Sequence, residues 1–259
     1  MPTTTQNDSK VRYFLHLAYN GAGYCGWQIQ NGQKTVQQAL EQALFYICRE
    51  RIELTGCGRT DSGVHALDFY AHFDYRDMDK EHVRMLAMRL NRYFDYDINI
   101  YGIYRMKPEA HARFDALSRT YKYYISNNKQ PFNNEFCYRY PFELDMERMN
   151  TAAKTLYQYS DFTSFSKLHT QVNNNNCRIM YVRWDVEQDM MVFTIKADRF
   201  LRNMVRAIVG TLLEVGRGKI GVEDFCRIIE AKDRCRAGVS VPAKGLFLYS
   251  VEYDKHLFE

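Results

Sequence analysis

At 259 residues, with 46% apolar and 25% charged side chains, the chain has the balance of a soluble globular protein, long enough for one large domain or two of ordinary size. A formal net charge of +4 admits an anionic partner without demonstrating one. Seven cysteines with no C-x-x-C pair argue against a disulfide framework or a zinc site. No apolar run reaches membrane-spanning length and no signal-peptide pattern opens the chain, so the sequence reads as cytoplasmic, with no membrane partner.

Residues 1–10 read as a disordered tail. Val11, Tyr13, Leu15 and Leu17 then alternate with Arg12, Phe14, His16 and Ala18, which predicts a strand. Val36, Leu40, Ala43, Leu44 and Ile47 follow at helical spacing. Two strands, at about 52–55 and 67–74, bracket a glycine-rich segment. A helix with Val83, Leu86, Leu90 and Tyr93 on one face and a strand over 98–104 complete a βαββαβ order, a ferredoxin-like unit.

A second such unit follows after a junction near 106–111. It predicts a strand over 120–125, then a helix carrying Met146, Met149, Ala153 and Leu156. Strands at about 179–187 and 190–197 are joined at Gln188-Asp189. A helix with Leu201, Val205, Ile208, Leu212 and Val215, another near 222–231, and a strand over 246–253 close the chain. The expectation is an α+β fold of two ferredoxin-like (βαββαβ) halves, 11–108 and 109–259. Segment 166–178, with its run of asparagines, lacks apolar periodicity and reads as a long loop, either a surface insertion or a flap that orders over a bound partner. Gly216-Arg217-Gly218-Lys219 reads as a helix C-cap or a phosphate contact.

The segment Gly56-Cys57-Gly58-Arg59-Thr60-Asp61-Ser62-Gly63-Val64-His65-Ala66 concentrates chemistry. Its glycines permit positive φ or close approach of a ligand, and Asp61 stands mid-loop, two residues after Arg59. One reading is a turn in which Asp61 satisfies its own backbone; the other is a catalytic loop delivered by a strand.

This stretch resembles the catalytic loop of the TruA-type tRNA pseudouridine synthases, whose pattern is close to GxGRTDxGVH. Tyr19-Asn20-Gly21 through Gly26-Trp27-Gln28 resembles that family's first motif, with Asn20 in place of the usual Asp. Ala112-Arg113-Phe114-Asp115-Ala116 with Arg119, Tyr121 and Tyr123 is similar to its second-half opening strand. Segments 161–165, 200–206 and 242–246 continue in the family's order, so the resemblance spans nearly the whole chain.

The resemblance implies abutting antiparallel sheets with a central cleft, and an isomerase that turns uridine into pseudouridine. Its substrate would be the anticodon stem-loop of tRNA, at conventional positions 38, 39 and 40, and the enzyme would be a homodimer whose bound RNA spans both subunits. Such a reaction cleaves the N1–C1′ bond and rejoins the base through C5, with no net oxidation. It needs no cofactor or metal, and the sequence shows neither a P-loop nor a dinucleotide fingerprint.

Asp61 is the implied catalytic carboxylate and Arg206, on its helix one turn before Gly210, its partner. Burial in a cleft disfavours an ionised carboxylate, and a nearby guanidinium offsets that. Tyr121 matches the family's active-site tyrosine, fit to stack on the flipped uracil or relay a proton; its alternative is a packed strand tyrosine. Arg59 either holds the flipped base out of the stem or contacts a phosphate. Leu246 either packs on the uracil or is a core leucine. His65, four residues after Asp61, lacks further ligands at metal spacing and reads as a loop brace. The scattered Arg105, Lys107, Arg113, Arg119, Lys122, Arg199, Arg202 and Lys244 suit recognition of folded RNA by its backbone. The competing reading is a non-catalytic tRNA-binding or chaperone protein on the same scaffold.

Overall fold

The computed structural model describes residues 10–167 and 174–259. Residues 1–9 of the expected tail, and 168–173 at the centre of the expected loop, lie outside the described residues.

The first half of the chain supplies β1 (Val11–Tyr19), α1 (Val36–Cys48), β2 (Thr55–Gly56), β3 (His65–Tyr75), α2 (Lys80–Tyr93) and β4 (Ile98–Arg105). The second supplies β5 (Ala116–Ser126), β6 (Tyr138–Arg139), α3 (Met146–Thr155), β7 (Ile179–Glu187), β8 (Met190–Ala197), α4 (Met204–Gly216), α5 (Val222–Glu230) and β9 (Leu246–Tyr253). Three helices start where a side-chain oxygen takes an orphan amide: Thr35 from Gln38, Asp79 from His82 and Asp145 from Arg148. The β7–β8 hairpin turns on Gln188 and Asp189, whose φ of 47° and 63° suit a two-residue turn of the I′ type.

The result is a mixed α+β fold with one large, mostly antiparallel sheet and, among the described residues, five α-helices. Strand order is β4-β1-β3-β9-β5-β8-β7, with β2 beside β3 and β6 beside β5. Along the main path β3 and β9 alone run parallel, through His65–Phe247 and Ala66–Leu248. That short ladder makes the sheet continuous across the middle of the molecule. α2 packs on β4 and beside α1, whereas α3 packs on β7 and against α4 and α5. Two buried apolar clusters result, and Tyr121 packs against both. Among the described residues, no helix is long and apolar enough to cross a membrane.

Several expected boundaries shift. The strand expected at 52–55 shrinks to Thr55–Gly56 because α1 side chains take its backbone groups: Leu54 N–H donates to Glu41 Oε1, and Gln37 Nε2 donates to Leu54 O. Leu201 is buried but precedes α4, which starts only after Asn203 turns through φ 68°. Tyr93 is exposed and stacks on Tyr46 of α1 instead of facing the core. Gly216–Lys219 is a helix C-cap: Gly218 N–H reaches Val215 O and Lys219 N–H reaches Glu214 O, with Gly218 at φ 71°.

Candidate active site

The loop between β2 and β3 is held from beneath by the segment that follows β1. Gly63 N–H and the Ser62 hydroxyl both donate to Tyr24 O, at 3.2 and 3.3 Å, and Gly21 N–H donates to His65 Nδ1 at 3.1 Å. The Tyr19 and Thr60 hydroxyls bond at 2.9 Å. Gly26, at φ 81°, lies so close that a Cβ there would sit 2.3 Å from Thr60 O. The two motifs far apart in sequence are therefore one built unit, with Asp61 presented on its open side. At Gly58 the first of the two expected roles does not apply: its φ is not positive and a Cβ would meet nothing within 4 Å. The chain itself does not demand glycine there, and the position lines the cleft.

Two guanidiniums face Asp61. Arg206 Nη1 lies 3.4 Å from Oδ2, and Arg202 Nε lies 3.4 Å from Oδ1. Side-chain exposures of 20% for Asp61, 21% for Arg206 and 53% for Arg202 make Arg206 the inner partner and Arg202 the outer one. Arg206 is aimed by its backbone surroundings. Its Nε donates to Val241 O at 2.7 Å, while Val241 N–H donates to Arg206 O. Segment 238–241 reaches this position because α4 carries glycine at 210, where a Cβ would lie 1.9 Å from Val239 O. Gly238 N–H also bonds Thr211 Oγ1.

Asp61, Arg59, Tyr121 and Leu246 line one cavity of about 940 Å³, with Arg113 and Arg199 at its walls. Tyr121 meets Phe200 edge-on, with ring centres 5.0 Å apart. Burial, followed by nearby Cys57 and Asp61, pushes its phenol above the ordinary range, so the hydroxyl keeps its proton. Leu246 is buried at the start of β9. Burial and the neighbouring Arg59, Arg119 and Arg199 hold the Arg113 guanidinium below its usual value, which marks a field of like charge suited to an anionic ligand.

The structure thus brings Asp61, Arg206, Tyr121, Arg59 and Leu246 around one cleft. Sequence reasoning named Arg202 only as a scattered cation and missed its contact with Asp61; its spacing of four from Arg206 is the one signal that was present. It also grouped Arg119 with possible backbone readers. Arg119 is instead a tie inside the protein, donating to the carbonyls of Cys57, Arg113, Ala116 and Asp198. His65 is buried against Phe247 and serves the Gly21 amide; among the described residues no cluster of three metal-binding side chains occurs. The described flanks of the asparagine loop are bonded: Asn174 Oδ1 accepts from Asn176 N–H, and Asn175 Nδ2 donates to Thr163 Oγ1.

Comparison with known proteins follows the same lines. A family profile described as tRNA pseudouridine synthase matches residues 152–254. A protein of Parabacteroides distasonis named tRNA pseudouridine synthase A is 56% identical over 247 residues, covering 95% of this chain and 98% of its own. A Bacteroides fragilis protein of the same name is 55% identical and covers 97% of this chain and 100% of its own. One from Limosilactobacillus fermentum, also so named, is 39% identical over 94% and 96% respectively.

Proposed function

The chain belongs to the tRNA pseudouridine synthase family, and from that premise we propose that Asp61 is the carboxylate with which it isomerises uridine to pseudouridine in tRNA. The observation that carries the assignment is the Asp61 carboxylate in a cleft, faced by Arg206 and Arg202 at 3.4 Å and beside Tyr121. In the reaction the N1–C1′ bond breaks, C5 bonds to C1′, the C5 proton leaves and N1 is protonated. Atoms balance without oxidant or cofactor. Arg206 holds the carboxylate against the sugar-facing side, Tyr121 and Leu246 flank the uracil, and Arg59 enters the space the base vacates.

The substrate site is the anticodon stem-loop at tRNA positions 38, 39 and 40, reached in the cytoplasm. Supporting the expected pair of ferredoxin-like halves, 11–108 and 109–259, the strand orders β4-β1-β3-β2 and β9-β5-β8-β7 place last, first, third and second strands alike. The protein works as a homodimer, each tRNA spanning both copies. Transcripts retaining a single uridine at 38, 39 or 40, tritiated at C5, test the substrate reading: each is expected to release tritium, and a transcript with cytidine at all three is not. Equal release from that last transcript would overturn it.

A further inference from the structure

Phe114 is 74% exposed, yet it lines the same cavity as Asp61. A lone exposed phenylalanine needs no explanation. This one sits on a turn built to keep it there. His111 Nδ1 accepts the amides of Arg113 and Phe114, at 3.1 and 3.3 Å, and Asp115 Oδ2 accepts from His111 N–H at 2.7 Å. Asp115 N–H closes the turn on His111 O. The His111 ring lies 4.3 Å from the Phe114 ring, tilted 34°, and is itself packed edge-on to buried His72. Ala112 N–H is tied to His72 Nδ1, and Arg119 grips the carbonyl of Arg113. The ring is thus anchored at its root, backed by an imidazole, and lines the cleft with the Arg113 guanidinium 5.6 Å from its centre and Arg59 among the other lining residues.

We propose that Phe114, backed by His111, is a stacking platform for the nucleobase immediately next to the target uridine. The inference rests on the proposed function. A uridine leaving its stack exposes one face of each neighbour; Arg59 entering the gap covers one of them, and an aromatic ring fixed in place restores the other contact at little cost in ordering. Surrounding guanidiniums hold the flanking phosphates without reading sequence. Base–aromatic stacking tolerates any base, so the platform fits a site that serves several stem positions.

The test is binding of tRNA transcripts carrying 2-aminopurine just 5′ or just 3′ of the target, with the protein in the Asp61→Asn background. Fluorescence from one of the two labels is expected to be quenched on binding. Phe114→Ala should remove that quench and weaken binding by about five- to 150-fold. Phe114→Trp should restore both, and Phe114→Leu, apolar but unable to stack, should resemble alanine. Binding within two-fold of the parent for Phe114→Ala, or full rescue by Phe114→Leu, would overturn the platform. Tritium release by the otherwise wild-type enzyme, followed in parallel, separates the two readings. Release with no effect of Phe114 sinks the platform alone, whereas quenching without release sinks the catalytic reading and leaves the platform standing.

Discussion

Arg206 places Nε on the Val241 carbonyl and Nη1 toward Asp61, and only a planar fork can do both. Lysine has one ammonium and must abandon one of them. Arg206→Lys is therefore expected to lower kcat on the order of 100-fold, as loss of a preorganised charge partner does, while tRNA binding changes by less than about five-fold. Single-turnover tritium release and filter binding, run together, check this; retention of wild-type kcat would count against the assignment. At this scale the pairing of Asp61 with Arg206 was legible because the family resemblance implies it. Arg202 was not, since Asn203 at φ 68° breaks the helix between the two arginines, and side-chain spacing no longer tells which way Arg202 turns. Arg119 misled for a related reason: an arginine on a strand shows its charge in the sequence but not the four carbonyls that consume its donors.

The turn at 111–115 depends on a neutral histidine beneath it. His72 accepts the Ala112 amide, and burial, then Arg12 and His111, lower its pKa from 6.5 to about 4. Burial lowers His111 in the same direction. As pH falls from about 6.5 towards 4, the unfolded chain gains a proton on His72 that the folded one refuses, so stability falls across that window. His72→Asn offers a carbonyl to the same amide without titrating. Urea midpoints at several pH values in that interval should drop more steeply for wild type than for the variant; parallel slopes would contradict the role. Long periodic elements were the readable ones, as with α1, the β7–β8 hairpin and β9. Short pieces were not. The stretch at 52–54 looks like a strand because Ile52 and Leu54 are buried, but α1 side chains satisfy its backbone, which alternation cannot reveal.

Across the whole molecule, a net charge of +4 is modest, yet Arg59, Arg113, Arg199 and Arg202 gather at one cleft. Their contacts with phosphate should release counterions, so the logarithm of the tRNA binding constant is expected to fall linearly with the logarithm of salt, by about 0.7–0.9 per phosphate engaged. A titration that stays flat across salt would remove the electrostatic account of binding. The order of strands and helices was visible in apolar periodicity, but the joining of β3 to β9 was not: a parallel ladder of two residue pairs leaves no pattern, and the buried cluster around β1 and β3 is completed by Leu248, Val251 and Leu257 from the far end of the chain. Asp61 lines the cleft and faces Arg206 and Arg202 there. The most direct test compares wild type with Asp61→Asn on tRNA tritiated at C5 of uridine, measuring release and affinity on the same preparations. The account expects release by the wild type only, with both proteins binding tRNA within a few-fold of each other. Undiminished release by Asp61→Asn, or no release by either protein while tRNA stays bound, would contradict it.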